Sequence, residues 1–205
     1  HKIAVSRELH AVERIRLLFA RALNYALPEE PGDYGVRQYL KLAKDDLPPS
    51  LLFFHGTARA EKLWPEHHWQ ALATQAGRAG FGVWLPWGSE EERLRAERIE
   101  NECASARVLP KLDLLGLASM LLEVDGAVAV DTGLAHLAAA LDVPTVSLYG
   151  PTDTRLIGAY GRNQVHIQSP VGVSDTTEPA AMMASITPDM AWAGLQSALS
   201  ADGRS

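Results

Sequence analysis

Apolar residues recur along this chain in two rhythms. From about Glu8 to Ala26, Leu9, Val12, Ile15, Leu18, Phe19, Ala22 and Leu23 fall at helical spacing. Pro28 and Pro31-Gly32-Asp33 then predict the end of that helix and a linker reaching about residue 48. Leu51-Leu-Phe-Phe54, behind Pro48-Pro49, is a short unbroken apolar run and predicts a buried strand. Beyond it the pattern alternates. A helix with Pro65 as its first residue runs to Arg78, and a strand lies within 80–86. A charged helix extends from an N-cap at Ser89 to about Glu102, followed by a short strand at Arg107-Val-Leu109. Asp113 caps a leucine-rich helix through Leu122. Next come a strand at 126–130, a helix at 133–141, a strand at Thr145–Tyr149 and a last strand at Gln164–Ile167. Residues 169–185 are small, polar and aperiodic and predict a loop; Thr187-Pro188-Asp189 is a helix start with an N-cap, a first-turn proline and an acid.

Strands alternating with helices imply an α/β fold, a Rossmann-like doubly wound parallel sheet with helices on both faces. Such folds bind ligands beyond the carboxyl ends of strands, near a switch in strand order. The loops after the expected strands are therefore where chemistry belongs. A net charge of −6 with no Lys/Arg-rich run argues against a nucleic-acid partner. No apolar run approaches the roughly 18–20 residues of a membrane-spanning helix. The single cysteine, Cys103, has no companion histidine in its polar segment and reads as an inert thiol of a reducing compartment. Beginning at His1 inside a helical pattern, with no signal peptide, the chain is expected to be a piece of a longer protein.

Three loops carry suitable polar groups. After the first strand, His55-Gly-Thr-Ala-Arg-Ala-Glu-Lys62 offers close backbone approach at Gly56, a hydroxyl at Thr57 and a mobile cation at Lys62. Alone, it reads as a solvated turn with a surface lysine. After the second strand, Trp87-Gly-Ser-Glu-Glu-Glu92 could set a carboxylate against ribose hydroxyls. Alone, those acids simply favour a helix N-terminus. The third loop is the most informative. Ala127-Val-Ala-Val-Asp131 runs into Thr132-Gly133 and then an Ala/Leu-rich helix. Free backbone N–H groups and the positive end of the helix dipole attract phosphate there. A diphosphate is the expected ligand, with Asp131 and His136 placed to meet the group it carries.

Asp-Thr-Gly after apolar residues also marks aspartic proteases, but those need an all-β fold and a second aspartate, and Asp131 here leads into a helix. A buried structural role is the plain alternative for His136. Metal chemistry has little support: His67 and His68 are adjacent and diverge on a helix, and no Asp-x-Asp triplet occurs. Lys62 with a helix N-terminus can stabilise a leaving diphosphate without a cation.

Lys62-Leu-Trp-Pro-Glu-His-His-Trp69, Leu85-Pro-Trp-Gly88, Val108-Leu-Pro-Lys111 and Asp131-Thr-Gly-Leu-Ala-His136 belong together. With Ala138-Ala-Ala-Leu-Asp-Val-Pro144 and Tyr149-Gly-Pro-Thr-Asp153, they make the chain resemble the ADP-heptose:lipopolysaccharide heptosyltransferases. Leu156-Ile-Gly-Ala-Tyr-Gly-Arg-Asn-Gln164 favours the type I branch over type II. The likeness spans about 10–168 in order.

The resemblance implies the C-terminal half of a GT-B glycosyltransferase. Residues 1–27 would be a remnant helix of an N-terminal acceptor domain, 28–48 the interdomain linker and 49–186 the nucleotide-sugar domain. Residues 187–205 would form a helix packing back toward the missing N-terminal domain. It assigns Thr57 and Lys62 to the donor's phosphate and sugar, Glu90 to the ribose and Leu112 to the adenine. Asp131, Thr132, Gly133 and His136 would surround the diphosphate and heptose. It further implies inverting transfer of heptose from ADP-heptose to Kdo of a Kdo–lipid A acceptor, with no cofactor and no metal. The general base would lie outside this chain, and the enzyme would work at the cytoplasmic face of the inner membrane. Departures from the pattern are Ala58 for a second threonine and Thr154 for a proline. The loop before Glu90 is also short, which makes Glu91 a second candidate for the ribose. A sugar-nucleotide epimerase of the same architecture, separable by its products, and a non-catalytic nucleotide-binding module are the alternatives.

Overall fold

A computed structural model of the chain describes residues 2–30, 32–40, 48–172 and 178–201. Parts of the expected linker (31 and 41–47) and of the expected loop (173–177) lie outside the described residues, as do 1 and 202–205. In chain order the elements begin with α1 (Ala11–Leu23), β1 (Ser50–Phe54), α2 (Glu66–Arg78), β2 (Gly82–Leu85) and α3 (Glu90–Glu102). They continue with β3 (Ala106–Val108), α4 (Leu114–Glu123), β4 (Gly126–Val130), α5 (Gly133–Ala140) and β5 (Thr145–Tyr149). The last are α6 (Thr154–Ile157), β6 (Gln164–Gln168), α7 (Pro179–Ser185) and α8 (Pro188–Ala201). Among the described residues no helix is long and apolar enough to cross a membrane.

The strands form a parallel sheet in the order β3-β2-β1-β4-β5-β6. This is the strand order of dinucleotide-binding folds, and it reverses direction between β1 and β4. The alternation of side chains along each strand divides the core into two layers. Leu51 and Phe53 of β1 and Val128 and Val130 of β4 face a layer built with Trp69 and Leu72 of α2, Ile99 of α3 and Leu195 of α8. Leu52, Phe54, Ala127 and Ala129 face the other, with Leu121 of α4 and Ala135, Ala138 and Ala139 of α5. Alanine against alanine brings α5 close to β4. Its first turn is thereby held directly beyond the strand end.

Local chemistry trims several elements relative to the hydrophobic pattern. Helix α1 starts later and ends earlier than 8–26. The His10 ring caps it by accepting from the Val12 N–H at 3.2 Å, and Asn24 stops it in the left-handed region with φ 55°. The loop expected over 169–185 is corrected by α7, which has Pro179 in its first turn and buries Met182 and Met183. The four-residue α6, capped by the Asp153 carboxylate, lies in the connection between β5 and β6. Helix α8 begins as its motif predicts, the Thr187 hydroxyl accepting from the Met190 N–H at 3.2 Å, and it packs on β4, β5 and β6. Cys103 is buried and donates to the Gln70 carbonyl at 3.2 Å; burial raises its pKa, as an inert thiol requires.

His55, the residue after β1, is fully buried beside Trp69, and neither ring nitrogen makes a well-formed hydrogen bond. Burial, helped by the Arg95 charge, pushes its pKa down to about 4. Because the folded value lies below the unfolded one, the stability this neutral histidine allows is present above about pH 6.5 and lost toward pH 4. Urea denaturation should show a loss of roughly 3 kcal/mol across that window that is absent in His55→Leu. Equal pH dependence in both proteins would contradict the assignment. Ala138→Leu should overpack the α5 layer and lower stability by about 1–3 kcal/mol in the same assay.

Candidate functional site

The carboxyl ends of β1, β4 and β5 meet at the reversal in strand order. After β1 the chain passes through Gly56 and Thr57 into a 3₁₀ turn, Ala60–Lys62, which turns Lys62 back toward the sheet. Helix α7 packs against this turn, and the Trp64 indole N–H behind it donates to the Ile186 carbonyl at 2.8 Å. The segment that read as a loop thus supports the lysine.

Asp131 directly follows β4 and is the hub. Lys62 Nζ donates to its Oδ2 at 2.6 Å, Thr152 Oγ1 donates to the same oxygen at 2.5 Å, and Thr57 Oγ1 donates to its carbonyl at 3.1 Å. The Lys62 and Asp131 side chains are only 14% and 12% exposed, so solvent screens their attraction weakly. The structure thus brings Thr57, Lys62 and Asp131 together. Thr152 was missed as a site residue. Its signal was the Gly150-Pro-Thr-Asp153 turn directly after a strand, in a motif already matched but given no role.

Thr132 is the N-cap of α5 in extended conformation (φ −146°, ψ 158°), and its hydroxyl makes no capping bond. The Ala135 N–H donates to the Thr132 carbonyl at 3.1 Å, and the N–H groups before it in the first turn stay available to a ligand. A Cβ on Gly133 would meet nothing within 4 Å. The fold does not demand glycine there, and the open space leaves room for a ligand to approach the backbone closely. His136 lies on the same first turn, open to solvent; crowding of its ring lowers its pKa, while the Asp131 charge raises it and His10 lowers it further.

The remaining expected residues lie around this hub without hydrogen bonds to it. Glu90 is exposed at the start of α3 and paired with Arg93, which together with its hydrogen bonds lowers the Glu90 pKa; Glu91 is exposed as well. Glu92 is the acid that leans inward. It forms a capping box with Ser89, accepts from the Gly88 N–H at 2.7 Å, and lies so close to Gly56 that a Cβ there would be 2.1 Å from its Oε1. The Ser-x-x-Glu spacing was the available signal for it. Leu112 is half-buried, packed on the α4–α5 layer, behind a loop fixed by the Trp87 indole N–H on the Leu109 carbonyl at 2.7 Å. Lys111 sits over the Trp87 ring, 5.5 Å from its centroid.

A cation, hydroxyls and a helix start fit a diphosphate, and a carboxylate beside them fits a polyhydroxylated group. The model of glycosyltransferase family 9 (heptosyltransferase) matches residues 1–184. Lipopolysaccharide heptosyltransferase 1 of Pseudomonas aeruginosa is 53% identical over 160 residues, covering 78% of this chain and 45% of that protein. The Escherichia coli K12 protein of the same name is 44% identical over 167 residues, covering 81% and 52%. This chain therefore spans about half the length of these relatives. The solved E. coli heptosyltransferase WaaC with ADP superposes with a TM-score of 0.84 at 38% identity, covering 97% of this chain and 59% of that one. WaaC with ADP-2-deoxy-2-fluoro heptose gives 0.79 at 37%, covering 96% and 57%. With its parallel sheet, its strand order and these matches, the chain belongs to glycosyltransferase family 9, the heptosyltransferases, and has their GT-B type of fold.

Proposed function

We propose that this chain binds ADP-heptose and forms the donor half of an enzyme that transfers heptose to a Kdo sugar of the lipopolysaccharide inner core. The observation that carries the reading is the Lys62–Asp131 pair at the start of α5, with Thr57 and Thr152 on the same aspartate. The solved relatives hold ADP and an ADP-heptose analogue, which supports the same ligand class here.

In the proposed reaction a Kdo hydroxyl oxygen attacks the anomeric carbon from the face opposite the leaving group, so configuration inverts. The bond from that carbon to the diphosphate oxygen breaks, and ADP departs with the electron pair. Lys62 and the first-turn N–H groups of α5 lower the barrier by meeting the negative charge that grows on the diphosphate. On this reading no metal or cofactor is needed for that stabilisation. Asp131, an acceptor when ionised, serves the hydroxyls of the transferred sugar. Glu90 or Glu91 holds the ribose, Leu112 lines the adenine, and Thr132, Gly133 and His136 enclose the phosphates and heptose. The carboxylate that takes the acceptor's proton belongs to a domain outside this chain. The acceptor is a lipid, which sets the intact enzyme at the cytoplasmic face of the inner membrane.

Titration calorimetry with ADP-heptose tests the site. Lys62→Ala and Asp131→Ala should each weaken binding roughly ten- to a hundredfold, the range expected for losing a hydrogen bond to a charged group. Wild-type affinity in both variants would overturn the assignment. The 205-residue chain alone should bind donor without turnover; heptose transfer by it would show that the proton acceptor lies within it.

A further inference from the structure

Asp131 carries its donors asymmetrically. Lys62 Nζ at 2.6 Å and Thr152 Oγ1 at 2.5 Å both bind Oδ2, and Oδ1 has no hydrogen-bond partner among the described residues. An aspartate carboxylate turns about its last torsion with little preference of its own. Two donors on one oxygen remove that freedom. They are not equivalent, because Lys62 is a charge on a flexible stem that an arriving diphosphate will recruit. Thr152 is short and its turn is anchored. Gln168 Nε2 donates to the Gly150 carbonyl at 2.6 Å, and the Asp153 carboxylate accepts from the Arg155 N–H at 3.0 Å to cap α6.

We infer that Thr152 is a positioning residue for the donor's sugar: its hydroxyl holds the Asp131 carboxylate in place once Lys62 turns to phosphate, so that Oδ1 is presented as a bare acceptor to a sugar hydroxyl. This rests on the donor-binding reading above and adds a division of labour to it. Lys62 and the α5 start take the diphosphate, and the Thr152–Asp131 pair reads the sugar. A site built to bond a hydroxyl discriminates well, since a ligand lacking that hydroxyl leaves a partly buried carboxylate oxygen unpaired.

The test is calorimetry of the chain and of Thr152→Val and Thr152→Ser with two probes, ADP and ADP-heptose. Thr152→Val keeps the shape and removes the donor, whereas Thr152→Ser keeps the donor. Thr152→Val should bind ADP within about twofold of wild type and lose roughly tenfold in ADP-heptose affinity, with Thr152→Ser restoring most of that loss. The inference is overturned if Thr152→Val binds ADP-heptose as wild type does, if it loses both ligands equally, or if Thr152→Ser falls as far as Thr152→Val. A wild-type chain that binds ADP-heptose no more tightly than ADP removes the inference and leaves the nucleotide site standing. A wild-type chain that binds neither removes both.

Discussion

A weakly screened carboxylate held by donors from neighbouring loops is the constraint around which this site is built. Asp131 draws on Thr57 and Lys62 after β1 and on Thr152 after β5, so the ends of β1, β4 and β5 are tied to one residue. The side-chain oxygen that receives Lys62 and Thr152 is satisfied, and its charge is balanced at short range by the lysine. Without Lys62 the aspartate would be a partly buried, uncompensated anion, which is costly. Without Asp131, Lys62 would lack its fixed partner at the end of the sheet.

The fold delivers that residue through small side chains. Ala127 and Ala129 on β4 meet Ala135, Ala138 and Ala139 on α5, letting the helix lie close and begin right after the strand. The same closeness sets the start of α5 two residues after Asp131, the carboxylate that binds Lys62. On the other layer, Trp64, Trp69 and α7 brace the turn that carries the lysine. Two separate packing solutions therefore converge on one pair of charges, at the point where the sheet reverses its strand order.

Much of this was legible in the sequence. Short β-branched and leucine-rich runs mark β1, β4 and β5, and the caps at Ser89, Asp113 and Thr187 mark their helices because capping chemistry is local. Lys62, Thr57 and Asp131 are candidates in the sequence because strand-end loops are where such folds bind ligands, and their expected roles rest on the family resemblance. What was not legible depends on distant parts of the chain. The partner of Thr152 is set by β4 lying beside β5, which no local pattern states. Helix α7 packs on the Lys62 turn and buries Met182 and Met183, contacts that no local pattern states, and Pro179 alone was too weak a sign. Glu92 was named among three neighbouring acids, but direction on the first helical turn, which spacing from Ser89 encodes, decides which one faces inward.

Membership of the heptosyltransferase family and the position of the Lys62–Asp131 pair together make the start of α5 the proposed seat of the donor's diphosphate. Phosphorus NMR of ADP titrated with this chain and with Lys62→Ala tests that claim most directly. The account predicts that the β-phosphorus resonance moves on binding and that most of this movement is lost in Lys62→Ala. A β-phosphorus that stays at its free position while the adenine protons shift would place the diphosphate elsewhere and contradict it.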